Sequence, residues 1–363
     1  MQSEFLIQES VIEDISPHEA EITHYIRNED RRPLFIVGEA LTTLKNFPSA
    51  SIDFCMTSPP YWGHREYAVA GIGQEAHWKS YIDNLCAITF ELKRILKPSG
   101  SFWLNLGDSY SSKSLQGIPW RVALRMADEQ GWILRNSVIW HKVKGGLDNT
   151  SDKLRNVHEH VFHFVKSSKY FYDIDAVRSA PNLARVEGGA VISATGVSGI
   201  RYKRQIELST ALAAEEKLEA FRALEEVLSE IRKGELNDFR MIIRGQQRTT
   251  HSDSSSVSGR AREVAEKGFY FLKYHPNGSK PKDVWDIMPE DTQSRTDHFA
   301  PYPEDLCKIP LLSTCPPDGV ALDPFCGTGT TMLAALHEGR KSIGIDIAKQ
   351  YLDLARERCH LLL

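Results

Sequence analysis

The chain has 363 residues, enough for one large domain or two ordinary ones, with 41% hydrophobic and 25% charged residues as in globular proteins. A formal net charge of −4 excludes a histone-like coat for nucleic acid but leaves room for a local basic groove. No run of about 18 apolar residues is present, so no membrane span is expected, and the first residues lack the basic-then-apolar pattern of a secretion signal, which makes a cytoplasmic location the expectation.

Residues 1–32 are polar, carry both charge signs with weak periodicity, and read as an accessory extension. Leu34 to Val37 is a strand signal stopped by Gly38-Glu39, residues 40–47 read as a short helix, and Ile52 to Met56 as a buried parallel strand. Thr57-Ser58-Pro59-Pro60-Tyr61 follows. Neither proline can donate to a sheet ladder, so the strand ends in a stiff, extended turn at the carboxyl edge, where open α/β sheets bind ligands. The Ser58 hydroxyl, the turn carbonyls and the Tyr61 ring suit a planar ring carrying an exocyclic amine. Pro-Pro turns also end strands with no chemistry attached.

Apolar positions 81, 82, 85, 88, 92, 95 and 96 predict a helix over about 79–96, ended by Lys97-Pro98-Ser99-Gly100. A strand is expected over Ser101 to Leu106, a helix over 118–130, and strands over 133–140 and 157–165, with a polar loop at 144–156. In the last strand His158 and His160 share a face and His163 takes the other, so the three read as structural and no metal site is expected. Six cysteines without a C-x-x-C pair indicate neither a disulfide framework nor zinc.

The character changes near residue 180. Residues 181–204 are rich in Gly, Ala and Ser, and Leu212, Leu218, Phe221, Leu224, Val227, Leu228 and Ile231 predict one amphipathic helix over 208–233. From 240 to 282 arginines and lysines outnumber acids, with Phe269, Tyr270, Phe271 and Tyr274 among them. Such a stretch in an acidic protein suits a nucleic-acid face; a solvated loop with incidental charge is the bland alternative. The sheet pattern then resumes with Val320 to Asp323, a helix to about His337, a strand from Lys341 that ends near Asp346, and a helix over 348–360.

Between the first of these strands and its helix stands Pro324-Phe325-Cys326-Gly327-Thr328-Gly329-Thr330-Thr331. A P-loop needs Gly-Lys-Ser/Thr, and no lysine is there; a dinucleotide fingerprint needs a third glycine, and Met332 holds that place. The third reading is a glycine turn for S-adenosylmethionine (AdoMet), with the Asp346 carboxylate, about 20 residues on, accepting from ribose hydroxyls.

Asp323-Pro324-Phe325-Cys326-Gly327-Thr328-Gly329-Thr330-Thr331 together with Thr57-Ser58-Pro59-Pro60-Tyr61 resembles the amino-methylating DNA methyltransferases, which modify the exocyclic amine of cytosine or adenine. The amine motif precedes the AdoMet turn, as in the permuted group called beta. The likeness extends through Leu104 to Tyr110, Gly117 to Arg121, Ile139 to Lys142, Asp283 to Trp285 and His298 to Pro303, leaving out 1–32 and about 181–275. It implies a Rossmann-like α/β fold with a mixed, mostly parallel sheet, circularly permuted. Residues 33–180 would be its catalytic half, 181–275 a target-recognition region, and 276–363 its AdoMet-binding half, whose third strand is Leu34 to Val37.

The resemblance implies catalytic roles for Ser58, Pro59, Pro60 and Tyr61. It implies AdoMet contacts from Glu39, near the adenine, from His298, Phe299 and Pro301 at the methionine end, and from Asp323, Phe325, Gly327, Thr328, Gly329, Thr330 and Asp346. Arg244, Gln246, Gln247 and Arg248 are candidate base readers, or phosphate contacts. Carbon-5 methylation is set aside because the chain has Cys315-Pro316 and no Pro-Cys. Serine at position 58 favours cytosine N4 over adenine N6, where relatives usually carry Asp or Asn. The expected partners are double-stranded DNA and a cognate restriction endonuclease, with the protein a monomer or homodimer. A non-catalytic DNA-binding homologue, and a methyltransferase for RNA or protein, are the readings of other classes.

Overall fold

Ile52–Thr57 is buried at every position, as a parallel strand must be when both of its faces are covered. In the computed structural model, which describes residues 17–63, 71–144, 150–180, 183–245, 259–274, 277–290 and 302–360, that strand lies inside an eight-stranded sheet. In chain order the strands are β1 (Leu34–Val37), β2 (Ile52–Thr57), β3 (Leu96–Leu106), β4 (Ile133–His141), β5 (His158–Val165), β6 (Val284–Asp286), β7 (Val320–Asp323) and β8 (Lys341–Asp346). Across the sheet the order is β1-β8-β7-β2-β3-β5-β4-β6. β5 pairs antiparallel with both of its neighbours, and every other pairing is parallel.

The permutation is visible in the ladder. β1, near the front of the chain, pairs with β8, near its end, from Leu34 opposite Ile343 to Val37 opposite Asp346. The strand expected to complete the AdoMet-binding half is therefore where the motif order requires it.

Strand alternation divides the core between the two faces. Phe102, Leu104, Phe162 and Phe164 face one cluster, filled by Tyr81, Leu85 and Leu92 of α3 (Trp78–Ile95) and by Val122 and Met126 of α4 (Ile118–Asp128). Trp103, Phe54, Met56 and Val161 face the other, with Leu306 and Leu311 of α5 (Glu304–Thr314) and Ala334 and Ala335 of α6 (Thr330–His337). Each phenylalanine, leucine, valine or methionine among them contributes about 1.5–3 kcal/mol on burial. α2 (Ala40–Leu44) follows β1, and α7 (Lys349–His360) follows β8.

Three expectations are corrected here. The segment 1–32 is not only an extension: α1 (Pro17–Arg27) buries Ile22 and Tyr25 in the first cluster. Its C-terminal carbonyls at Tyr25, Ile26 and Asn28 accept from the Lys341 ammonium, so a charge from the far end of the chain satisfies the orphan acceptors of that helix. Secondly, β3 starts at Leu96, directly after α3, because Ala50 N and Ser51 N donate to Arg94 O and Ile95 O and draw the chain into the ladder before the Pro98-Ser99-Gly100 breakers.

The third correction lies in the second of the two compact units. Met1–Ala176 with Lys282–Leu363 form the first; Val177–Pro281 form the second. In the latter the helix expected over 208–233 starts later, as Ala214–Arg232, and a helix that was not expected, Gly199–Glu207, precedes it. The turn between the two helices lets Tyr202 and Ile206 pack in one cluster with Leu224 and Leu228, whereas Leu218, assigned to the apolar stripe, is 60% exposed. An antiparallel pair, Asp238–Ile243 with Phe269–Tyr274, completes this unit's core through Phe239, Met241 and Phe269.

Candidate active site

β2 and β7 are parallel neighbours, with Ala321 opposite Phe54 and Leu322 opposite Cys55, so the turns leaving their carboxyl ends emerge side by side. One is Ser58-Pro59-Pro60-Tyr61 and the other Pro324 to Gly329. β7 also pairs with β8 on its other flank, and the chain enters these two neighbours from opposite ends of the sequence, which makes this the sheet's switch point. A cavity of about 480 Å³ lies over both turns, reaching from Ser58 and Tyr61 to Gly327, Thr328, Thr330 and Asp346. That volume is in the range of about 300–1,000 Å³ usual for small-molecule sites.

At the end nearer β2, side chains of three further strands or strand ends converge on the turn. Tyr61 Oη lies 3.0 Å from Ser58 Oγ and donates to Glu159 Oε2 at 2.7 Å. Asn105 Nδ2, from β3, reaches Glu159 Oε2 at 2.8 Å, Tyr61 Oη at 2.9 Å and Ser58 Oγ at 3.2 Å. The Lys142 ammonium, just past β4, closes the set by donating to Glu159 Oε1. Burial, followed by the Glu159 charge, pushes the Tyr61 phenol well above its ordinary value, so it remains protonated and a donor. The turn is fixed from behind by Tyr81 Oη, which donates to Pro60 O at 3.0 Å. Gly107 lets the Tyr61 ring lie close, since a Cβ there would stand 2.6 Å from Tyr61 Cε2.

At the end nearer β7, Gly327 adopts φ +50 and its amide donates to Asp346 Oδ2 at 2.9 Å, while Ala348 N donates to Oδ1 at 2.8 Å. Burial raises the Asp346 carboxyl above its usual range, against the opposing pull of these amides. Phe325, Ile347 and Tyr351 supply apolar wall. Thr328 lines the cavity too, and its Oγ1 accepts from Arg358 at 2.8 Å. Glu39 caps α2, accepting from Leu41 N at 3.0 Å and Thr42 N at 2.8 Å. Burial acts to raise its carboxyl, but those amides outweigh it and hold the group below the ordinary glutamate value.

Two residues expected to touch the cofactor take other places. Asp323 is buried beneath the turn and does not line the cavity; its carboxylate accepts from Thr57 Oγ1 at 2.5 Å, Tyr302 Oη at 2.9 Å, Thr331 Oγ1 at 2.9 Å and Phe325 N at 3.0 Å. Burial pushes it up to about 6, with the four donors working the other way. Gly329 caps α6 at φ +77 and lies against α7, where a Cβ would stand 2.8 Å from Ala355 Cβ. Both brace the turn.

Ser58, Pro59, Pro60, Tyr61, Glu39, Phe325, Gly327, Thr328, Thr330 and Asp346 all line the one cavity. His298, Phe299, Pro301, Gln246, Gln247 and Arg248 lie outside the described residues. Arg244 makes its contacts within the second unit: its guanidinium pairs with Glu216 at 2.7 Å and donates to the carbonyls of Ala211 and Ala265, so it braces that unit. Other charges there are paired likewise, Lys273 with Glu230 and Lys267 with Glu263. Among the described residues no cluster of His, Cys, Asp and Glu could hold a metal, and no helix is long and apolar enough to cross a membrane. His163 is a core residue: it stacks on Trp103 with ring centroids 4.2 Å apart, and its Nε2 lies 3.0 Å from Ser101 Oγ.

Residue-level reading passed over Asn105, Lys142, Glu159 and Tyr302. Glu159 had one visible signal, an acid within an aromatic and apolar strand. In the sheet it stands opposite Trp140, beside the strand end that carries Lys142.

Residues 52–357 match the N6/N4 DNA methylase family. The Type II methyltransferase M.SfiI of Streptomyces fimbriatus is 30% identical across 87% of this chain and 88% of its own length. The Type II methyltransferase M.XycI of Xanthomonas campestris pv. cyanopsidis is 26% identical across 88% of this chain and 85% of its own. In fold the chain is similar to the PvuII DNA methyltransferase (cytosine-N4-specific), with a TM-score of 0.55 and 18% identity across 91% of this chain and 90% of that one. With the family match covering most of the chain, and the motif turns side by side in the permuted order, this protein belongs to the amino-methylating, cytosine-N4/adenine-N6 DNA methyltransferase family.

Proposed function

We propose that this protein transfers a methyl group from AdoMet to the exocyclic N4 amine of a cytosine flipped out of duplex DNA. The observation that carries the reading is the neutral hydroxyl of Ser58, set in a rigid Pro-Pro turn and reached by Asn105 and Tyr61, at one end of the cavity whose other end is the Gly327 turn.

The residues present fit AdoMet. Gly327 leaves the turn backbone open to close approach, Asp346 offers a carboxylate on the wall for ribose hydroxyls, and Phe325, Ile347 and Tyr351 give an apolar lining. When bound, AdoMet supplies an already activated methyl on a sulfonium.

What remains for the protein is alignment. An amine on an aromatic ring is a weak nucleophile because its lone pair is delocalised. Acceptance of its two hydrogens by Ser58 Oγ and the Pro59 carbonyl favours a pyramidal nitrogen with the lone pair directed along the cavity. A stacked base cannot reach such a site, so it is extruded, and the Tyr61 ring stacks on it, a contact worth about 1–3 kcal/mol. A neutral hydroxyl that accepts from N4 suits cytosine, since the adenine-N6 relatives usually carry Asp or Asn at this place. Val177–Pro281 is the target-recognition unit on this reading, with the exposed Arg240, Lys280 and Lys282, the last just beyond it, available to phosphates. The Type II relatives extend the reading to restriction–modification, with a cognate endonuclease as partner.

Labelled methyl transfer to DNA, RNA and protein offered together tests the substrate class. Label in DNA alone, lost in Ser58→Ala while AdoMet binding persists, is the expected result. Label confined to RNA or protein overturns it.

A further inference from the structure

We propose that Glu159, held by Lys142, is a positioning residue that acts through Tyr61 to fix the direction of the Ser58 hydroxyl proton. The inference rests on the amine-site reading above and adds the question that reading leaves open. A serine hydroxyl can turn either a proton or a lone pair toward a ligand, and an amine needs the lone pair.

The geometry removes the choice. Tyr61 has one hydroxyl proton, and it goes to Glu159 Oε2 at 2.7 Å. Toward Ser58, 3.0 Å away, the Tyr61 oxygen can then only accept. The Ser58 proton therefore points at Tyr61. Of its two lone pairs one receives Asn105 Nδ2 at 3.2 Å, and the other faces the amine.

The chain goes to some expense to place this carboxylate. The Glu159 side chain is 11% exposed and that of Lys142 29%, so both charges are largely removed from water. Such a pair stabilises little against an apolar replacement, and losing one partner is costly. Three donors converge on it: Tyr61, Asn105 and Lys142. Lys142 is itself steadied over the Trp140 ring, its Nζ 4.8 Å from the centroid. Two of these donors also touch Ser58, which is what a pair serving only to hold β4 against β5 would not need.

Glu159→Gln tests the idea with little change of shape. The amide would donate toward Tyr61, whose proton would turn to Ser58, and the Ser58 proton would turn to meet the N–H of the amine. Methyl transfer to DNA is measured at saturating AdoMet and DNA for the wild type, Glu159→Gln, Tyr61→Phe and the double variant, with KM for DNA, AdoMet affinity and unfolding midpoint alongside. The expected result is a fall in kcat of about a hundredfold for Glu159→Gln, with KM and AdoMet affinity unchanged, and no further fall when it is added to Tyr61→Phe. Lys142→Gln provides a second variant, with a smaller kcat loss that also vanishes in the Tyr61→Phe background. Losses that multiply in the double variant, or that follow KM and unfolding midpoint together, overturn the proposal. Failure of the underlying reading shows separately: the wild type would then leave no methylated base in DNA.

Discussion

Thr57 Oγ1 donates to Asp323 Oδ1 at 2.5 Å in the buried space between β2 and β7. Each residue opens one of the two motifs, so a single hydrogen bond fastens the amine turn to the glycine turn. Tyr302 and Thr331 complete the knot on Oδ2. The separation between the methyl donor's turn and the amine's turn is thus set by a shared carboxylate below both.

Thr57→Val keeps the shape and removes that donor. A buried carboxylate short of one partner should cost about 1–3 kcal/mol of stability. Denaturant unfolding of the variant checks this, and a midpoint equal to wild type would remove Asp323 as the fastening point.

Gly107→Ala places a methyl 2.6 Å from Tyr61 Cε2. Tyr61 cannot swing away freely, because its hydroxyl is held by Glu159 and Asn105. A displacement of this order should lower methyl transfer by about a hundredfold while AdoMet affinity stays near wild type. Steady-state kinetics with calorimetric AdoMet binding separates the two; equal loss of both would mean that the whole cavity had shifted.

Gly329→Ala should fail differently. Its φ of +77 disfavours any side chain, and Ala355 Cβ stands 2.8 Å from the new methyl. The strain costs about 1–3 kcal/mol and pushes the turn from α7, so stability and AdoMet affinity should fall together. Thermal unfolding and calorimetry read both.

Much of this was legible in the sequence because parallel strands announce themselves as short apolar runs, and because their carboxyl ends carry the motifs. The pairing of Leu34 to Val37 with the last strand followed from motif order. What escaped depends on long-range partners. α1 has a weak apolar pattern, and part of its support is an ammonium from Lys341. α5 contains Pro310, which reads as a breaker. Asn105 and Glu159 are ordinary polar residues until two strands set them beside Tyr61. The bracing contact of Arg244 was hidden in the same way, since its basic neighbourhood gave no sign of Glu216.

His163 gives the fold a pH signature. Burial, with the Arg135 charge adding to it, lowers its pKa from 6.5 to about 3. The unfolded chain takes up this proton as pH falls below the ordinary histidine value, and the folded chain does not. Stability present above that value is therefore lost on acidification, by at most about 1.4 kcal/mol per unit. His163→Phe should flatten this dependence between about pH 6.5 and pH 4, as read by denaturant unfolding across that window. An unchanged slope would assign the acid sensitivity elsewhere.

The central claim, that Ser58 presents the N4 amine of cytosine to a methyl donor held over Gly327 and Asp346, is tested most directly by mass spectrometry of nucleosides. DNA of varied sequence is treated with AdoMet and either the wild type or Ser58→Ala, then digested. N4-methylcytosine from the wild type, and its loss in Ser58→Ala, is the predicted result. N6-methyladenine would keep the cavity and contradict the choice of base; no modified base, with AdoMet bound, would contradict the claim itself.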